Sequence, residues 1–443
     1  MSFDFPKNWK QVVLEDALDA LIDYRGKTPK KVDKGIPLIT AKVVKSGRIL
    51  PMDEFIADED YESWMVRGIP QISDIVVTTE APLGEVAQIK NANVALAQRI
   101  VTLRGKVDFL ENDFLLFLMQ SDFVQNQLEA RATGSTVKGI KQSELRKIIL
   151  PIPPIVEQKC IGKILSDLDD KIHLNNQINQ TLESIAQAIF KSWFIDFDPV
   201  RAKITAKQEG KDTELAAMCA ISSKSEVEIQ QMSDDDFTEL QATAALFPDE
   251  LVESELGEVP KGWEISKISK IGKVITGKTP SSKIENSFAE KGTFFITPTD
   301  IDTEVFVTNT NRYLSEYGEI AIKNSKVDEG SLCITCIGSQ MGKVVITPKS
   351  AFTNQQINSI LLFNSTLRNY IFLNLRQRRD EIFLIGSGGS TMPIINKSTF
   401  ESLNLILPDL ALIRKFDNFI SPFFNNILSN SVENIELKNI THD

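Results

Sequence analysis

The longest hydrophobic pattern in the chain begins after Pro154. Apolar residues recur there at alternating spacings of four and three, the heptad spacing of a coiled coil. Two asparagines, Asn175 and Asn179, occupy positions within this stripe, where a polar side chain can fix helix register. The pattern predicts one helix of about 39 residues, ~58 Å long. The apolar members of the stripe are Ile161, Leu165, Leu168, Ile172, Leu182, Ala186, Ile189 and Trp193.

A second stripe of this kind lies at the end of the chain. Its members are Phe416, Ile420, Phe423, Ile427 and Ile435. Neither helix can bury its stripe by itself, so we expect the two to pack on each other in antiparallel orientation. The alternative is that each is an ordinary core helix of its own domain.

The remaining chain consists mainly of short apolar runs bounded by glycine, proline and asparagine, a pattern typical of β-strands. A helical pattern follows the strands, for example at 112–130, with a polar residue at its start. The combination predicts α+β domains. The predicted strands include residues 36–40, 75–79, 99–103, 293–297, 331–335 and 342–346.

The sequence also repeats itself at offsets of 251 to 257 residues. Five matches in the same order predict two homologous halves. The matching segments are PKNW at 6–9 with PKGW at 260–263, GKTP at 26–29 with GKTP at 277–280, QRI at 98–100 with QQI at 355–357, GST at 134–136 with GST at 389–391, and LP at 150–151 with LP at 407–408.

These patterns divide the chain into five segments. We place a first domain at 1–150, a central spacer helix at 151–194, an acidic linker region at 195–258, a second domain at 259–408 and a C-terminal spacer helix at 409–443. The linker is expected to be solvated, with some helix, and not a third folded domain.

Composition narrows the possible chemistry. The 443 residues are 42% hydrophobic and 25% charged, as in globular proteins. Four cysteines are too few for a disulfide framework, which favours a cytoplasmic protein, and no apolar run approaches the ~18 residues of a membrane helix. The two histidines, His173 and His442, argue against His-ligated metals and Ser-His-Asp catalysis.

The net charge of −11 is unevenly distributed. Residues 195–258 contain 5 basic and 16 acidic side chains, so this segment accounts for the whole excess. The rest of the chain is close to neutral and can present local basic surfaces. The acidic total therefore does not exclude DNA binding.

Two motifs suggest chemistry that their context does not support. Residues 272–279 match the phosphate-loop pattern GxxxxGK[ST], but no apolar helix follows, and the first half has Leu21 in place of Gly272. Cys333 and Cys336 have CxxC spacing without further ligands nearby, so we interpret them as buried strand residues. The Asn/Asp-Pro-Pro-aromatic motif of an amino-methyltransferase is absent from the sequence. We predict no catalytic residue and no metal site.

The repeated GKTP and GST segments suggest DNA backbone contacts instead. Small residues, hydroxyls and lysines suit phosphate binding, although each segment could alternatively be only a turn. Residues that differ between the halves are better candidates for base recognition. These are Lys42 and Lys45 in the first half, and Thr299 and Asp300 in the corresponding segment of the second half. The proposed backbone contacts are Lys27, Thr28, Ser135, Thr136, Lys138, Lys141, Lys278, Thr279, Ser390 and Thr391.

Longer stretches resemble the specificity subunits of Type I restriction–modification enzymes across nearly the full chain. The second half departs at its exit, where LPDL at 407–410 lacks a double proline and Arg414-Lys415 replaces a Glu-Gln pair. The stretches that carry the resemblance are ATGSTVKGI at 132–140, LPIPPIVEQ at 150–158, WFIDFDPVRAK at 193–203 and SELGEVPKGW at 254–263.

The resemblance implies two β-rich target-recognition domains separated by long antiparallel coiled-coil helices. Each domain would recognise one half of a bipartite, asymmetric site in double-stranded DNA. The helices would carry two DNA-methyltransferase (modification) subunits, which bind S-adenosylmethionine, and through them restriction or translocase subunits that use ATP and Mg²⁺. No cofactor and no membrane contact are expected for this chain itself.

Two other functions remain open at this stage. One is nucleotide hydrolysis at Gly277-Lys278-Thr279, which ATP binding by the isolated chain would support. The other is a protein-binding scaffold of duplicated modules. Steeply salt-dependent binding to duplex DNA would exclude the scaffold.

Overall fold

The computed structural model describes residues 5–26, 28–134, 136–388 and 393–442, with the side chains of 441 and 442 left out. The chain forms two compact units. The first contains residues 1–172 with 437–443, and the second contains residues 173–436.

The first unit contains eleven strands and five short helices among its described residues and ends on the first part of a long sixth helix. Their bounds are β1 Lys10–Val13, α1 Leu14–Ala17, β2 Leu18–Asp23, β3 Ile36–Ile39, β4 Val44–Lys45, β5 Arg48–Ile49, β6 Phe55–Ile56, α2 Tyr61–Trp64, β7 Ile75–Thr79, β8 Leu83–Gln88, β9 Ala95–Leu96, β10 Ile100–Gly105, α3 Asn112–Gln120, α4 Asp122–Arg131, α5 Gln142–Leu145, β11 Ile149–Ile152 and α6 Ile155–Phe194.

A four-stranded antiparallel sheet of order β2-β10-β7-β8 organises this unit. All five residues of β7, which has a neighbouring strand on each side, are buried. β1 pairs with β11, which brings the two ends of the domain together. A smaller sheet has the order β6-β3-β9, with β3 parallel to β9.

The second unit begins inside α6, ends inside α16 and repeats this plan. Its bounds are α7 Asp198–Gln208, α8 Thr213–Ser222, α9 Glu226–Gln230, α10 Asp234–Ala244, β12 Leu251–Ser254, β13 Gly257–Pro260, β14 Glu264–Lys267, α11 Ile268–Ile271, β15 Gly272–Thr276, β16 Phe288–Ala289, β17 Thr293–Ile296, β18 Tyr313–Leu314, α12 Glu316–Ala321, β19 Lys326–Val327, β20 Leu332–Thr335, β21 Val344–Ile346, β22 Ala351–Thr353, β23 Ile357–Leu362, α13 Arg368–Gln377, α14 Arg379–Ser387, α15 Lys397–Glu401, β24 Asn404–Leu407 and α16 Leu410–His442.

The sheets confirm the internal repeat. The order β15-β23-β20-β21 matches β2-β10-β7-β8 strand for strand. β14 pairs with β24 as β1 pairs with β11, and β17 runs parallel to β22 as β3 does to β9. Each half is therefore a complete copy of one α+β domain.

The helix predicted at 112–130 is divided in two. α3 ends at Gln120 and α4 begins at Asp122. Ser121 between them has extended φ and ψ, and its side chain accepts a hydrogen bond from Val124 N. A serine that caps a new helix therefore interrupts a pattern that looks continuous in the sequence.

In the second unit, α6 and α16 are antiparallel, as predicted. Asn175 of α6 donates to Asn434 at 2.9 Å. Further along α6, Phe190 packs edge-to-face on Phe416, with 6.0 Å between the ring centroids. Asn179 donates to Ser431 Oγ at 3.3 Å, so both predicted seam asparagines face the partner helix. The predicted packing residues in this unit's core are Leu182, Ile189, Phe416, Ile420, Phe423 and Ile427.

The beginning of α6 departs from that prediction. Ile161 packs against the core of the first domain and so behaves as an ordinary core residue of that domain. Leu165 and Leu168 are half-buried and Ile172 is buried. The same stripe thus serves a domain core at one end and a helix pair at the other.

The acidic segment is more ordered than the solvated linker we predicted. It folds into α7 to α10, whose small core contains Met218 and Ile229. Buried Lys203 donates to Glu214 Oε1 and to Phe247 O, both at 2.8 Å. The acidic residues at 234–236 are exposed in the first turn of α10, where negative charge is stabilising.

The two misleading motifs lie in regular structure. Gly272–Thr276 forms strand β15, and residues 277–287, all of which the structure describes, contain no helix. Burial raises the pKa of the Cys333 thiol to about 12 and that of Cys336 to about 11.

Within the described residues, no helix is long and apolar enough to span a membrane.

Candidate nucleic-acid interface

In the first domain, the two repeated loops lie next to each other. The GKTP loop follows β2, and Arg25 at its start donates from Nη2 to Ile140 O, 3.0 Å away in the glycine-rich loop. That second loop is closed by two backbone hydrogen bonds between Thr133 and Gly139, of 2.8 and 2.9 Å. The structure therefore brings together two segments that are separated by about a hundred residues in the sequence.

The exposed side chains of these loops fit contact with an extended anion. Thr28, Thr136 and Lys141 are exposed, and Lys141 immediately precedes α5. Lys138 is exposed and forms an ion pair with Glu129. This pair is at the surface and is therefore weak enough to exchange its partner for a phosphate.

The second domain holds its GKTP loop by different contacts. Lys278 N donates to Thr353 O at 2.9 Å, and Thr279 Oγ1 donates to Gln355 Oε1 at 2.7 Å. The Lys278 side chain is exposed. Because the backbone is fixed while the ammonium group is free to extend into solvent, this lysine suits a phosphate contact.

The predicted base-recognition segment of the first domain lies after β3. Lys42 Nζ is 2.8 Å from Asp53 Oδ2, with both side chains exposed. The hydrogen bond to Asp53 raises the pKa of Lys42, and the same bond lowers the pKa of Asp53. Lys45 is exposed on β4.

The corresponding segment of the second domain contains Thr299 and Asp300. Thr299 is exposed, with Oγ1 2.8 Å from Thr297 Oγ1. Asp300, by contrast, accepts hydrogen bonds of 2.7 and 2.6 Å from Thr297 N and Oγ1, and of 2.9 and 2.8 Å from Asn311 N and Nδ2. These four donors stabilise the loop, and a role for Asp300 in base recognition stays a prediction.

Four predicted contact residues, Lys27, Ser135, Ser390 and Thr391, lie outside the described residues. Two contacts that the sequence did not indicate are the Arg25 bridge between loops and an ion pair of Arg48 with Asp169. Thr276 stands in the second half at the position that corresponds to Arg25. Because the arginine is not repeated, the internal repeat did not indicate it as a functional residue.

The family comparison agrees with this duplicated arrangement. The family model described as "Type I restriction modification DNA specificity domain" matches residues 6–184 and again 260–439. The chain belongs to this family.

Relatives support the assignment, and a solved structure shares the fold. The specificity subunit of the Type I restriction enzyme HindI from Haemophilus influenzae is 36% identical over 363 residues, covering 79% of each chain. The MjaIX specificity subunit of Methanocaldococcus jannaschii is 25% identical over 98% of this chain and 91% of its own. The S subunit from M. genitalium has a similar fold, with a TM-score of 0.56 and 13% identity over 100% of this chain and 96% of its own.

Proposed function

We propose that this chain is the non-catalytic specificity subunit of a Type I restriction–modification complex and recognises a bipartite, asymmetric DNA target. The proposal depends on one observation: the family domain occurs twice in the chain. The two copies have the same strand order in their main sheet, but their candidate base-recognition residues differ. Two domains of one fold with different contact residues suit two unequal half-sites.

The shared and divergent residues have separate roles in this proposal. Exposed residues of the repeated motifs, such as Thr28 and Lys278, contact the sugar-phosphate backbone, which is alike at every site. Lys42, Lys45 and Thr299 lie after equivalent strands, differ in chemistry, and contact base edges.

Partners supply the chemistry in this proposal. Two DNA-methyltransferase subunits bind the chain and bring S-adenosylmethionine, and restriction or translocase subunits that use ATP and Mg²⁺ join through them. The names of the restriction-enzyme specificity subunits that this chain resembles support such an assembly. The chain itself contributes target selection.

Sequencing of DNA modification in a host that expresses the chain with its methyltransferase partners tests the proposal. We expect methylation at one bipartite motif that contains unread base pairs, and no such methylation when the chain is omitted. Exchanging residues 259–408 for those of a relative should replace one half of the motif only. Modification without a bipartite motif, or replacement of both halves, would contradict the proposal.

The helices add a second test. If α6 and α16 act as a spacer, lengthening both by one matched heptad should increase the number of unread base pairs and leave both half-sites unchanged. Unchanged spacing in an assembled, active complex would show that the helices do not set the distance.

A further inference from the structure

In the first domain, an arginine joins the candidate base-recognition segment to the spacer helix. Arg48 lies on β5, and its Nη2 is 2.5 Å from Asp169 Oδ2, 3.1 Å from Asp169 O and 3.1 Å from Asp170 Oδ1. Asp169 and Asp170 belong to α6. All three contacts are made through one guanidinium nitrogen to two consecutive residues, so they hold the end of the Arg48 side chain against one short segment of α6.

The hairpin that carries Arg48 also carries Lys45. These two residues are directly opposite each other in the β4–β5 pairing. Gly47 N in the turn donates to Val86 O at 2.9 Å, so the hairpin is also fixed to β8. The Arg48 contact and the Gly47 hydrogen bond therefore both hold the hairpin that presents Lys45.

The second domain has a corresponding connection built from other residues. Glu183 of α6 pairs with Arg376 of α13 at 3.2 Å, and both side chains are less than one-fifth exposed. Arg376 also donates through Nη2 to Thr303 O. Thr303 lies in the segment that follows β17 and includes Thr299.

The two connected segments are equivalent in the fold. Gly47 forms a parallel bridge with Ala87 in the first domain, and Phe306 forms one with Ile346 in the second. The side chains of this second pair are largely withdrawn from water, and this burial raises the pKa of Glu183 and lowers that of Arg376. An ion pair shielded from solvent holds its geometry more firmly than an exposed one.

We propose that α6 carries two acidic anchor points, Asp169–Asp170 and Glu183, and that Arg48 and Arg376 are positioning residues that fix the base-recognition segment of each domain to this one helix. The anchors begin fourteen residues apart, which is two heptads. The inference rests on the proposed function, because it assigns a positioning role within the same DNA-recognition surface.

The test uses the full complex with its methyltransferase subunits and two duplex libraries, each randomised in one half-site. Exchange of the second domain identifies which half-site belongs to which domain. The variants are Arg48→Met and Arg376→Met, which retain an apolar stem. Lys163→Met is the matched control, because it breaks an exposed Lys163–Asp167 pair on the same helix.

We expect Arg48→Met to lower base selectivity about tenfold at the half-site of the first domain, and to change the other half-site less than about twofold. Arg376→Met should show the reverse pattern. Lys163→Met should leave both half-sites unchanged. A charge reversal, Arg48→Glu combined with Asp169→Arg, should recover part of the selectivity that Arg48→Glu alone loses.

Melting temperature and assembly of each variant are measured together with selectivity. Equal loss at both half-sites, unchanged selectivity in both arginine variants, or no recovery in the charge reversal would overturn the inference while the proposed function stands. If the unmodified complex methylates no bipartite site, the proposed function fails, and the inference fails with it.

Discussion

The two domains have the same strand order but attach their following helices differently. In the first domain, buried Gln158 near the start of α6 donates to Phe109 O and Pro153 O at 2.9 and 2.8 Å and accepts from Glu111 N at 2.9 Å. The equivalent position on α16 is Lys415, whose ammonium group reaches Glu239 at 3.5 Å near the surface.

The second domain uses α13 for this attachment. Buried Asn369 donates to Asp417 Oδ1 at 2.8 Å and to Ser421 Oγ at 3.1 Å, both on α16. Burial raises the pKa of Asp417. The comparison shows that the apolar pattern preserves a fold through duplication, whereas the polar contacts that fix a helix to it can be replaced independently.

The largest expected difference between the domains is the loss of stability when the glycine of GKTP is replaced by alanine. A Cβ on Gly277 would lie 2.1 Å from Asn354 O and 2.3 Å from Thr353 Oγ1, whereas one on Gly26 would meet no atom within 4 Å. Gly277→Ala should cost about 3 kcal/mol or more of unfolding free energy. Gly26→Ala should cost about 1 kcal/mol, because φ at Gly26 is +84°.

Denaturant melts of the full chain give the two free energies, and hydrogen exchange shows which domain opens. Equal costs for the two alanine variants would mean that the loops have the same environment, against the contacts described for Gly277.

The next largest difference in stability is expected at the residues that attach each domain to its following helix. Gln158→Ala leaves three backbone groups without their partners and should cost about 2–3 kcal/mol of unfolding free energy. Lys415→Ala should cost no more than about 0.5 kcal/mol, since it removes only a partly exposed ion pair. Chemical unfolding of the two variants in parallel measures both values, and a larger loss for Lys415→Ala would reverse the comparison.

The smallest effects are expected on DNA affinity. Lys278→Ala should weaken binding to all duplexes similarly and reduce the magnitude of the salt slope by about one unit. Lys42→Ala should instead weaken binding to the cognate site by roughly tenfold, with little change on scrambled DNA. Titrations of both duplexes at several salt concentrations distinguish the two roles. A cognate-specific loss for Lys278→Ala would contradict its assignment to the backbone.

Part of the candidate interface followed from the sequence. The repeat identified GKTP as a shared loop, and the structure places Lys278 and Thr279 on a fixed backbone beside β22. The roles of Lys42, Lys45 and Thr299 stay predictions. Asp300 stays a prediction as well, and only the structure shows that its carboxylate accepts hydrogen bonds from Thr297 and Asn311.

The sequence by itself determined the duplication, the α+β character and the long helix, because strand alternation, heptad spacing and turn residues act locally along the chain. Tertiary structure alone decided how the helices attach and which segments contact α6. Gln158, Arg48 and Glu183 look like ordinary helix or strand polar residues in the sequence. Their partners lie 47, 121 and 193 residues away, and such distant polar pairs depend on how the surrounding chain folds back on itself.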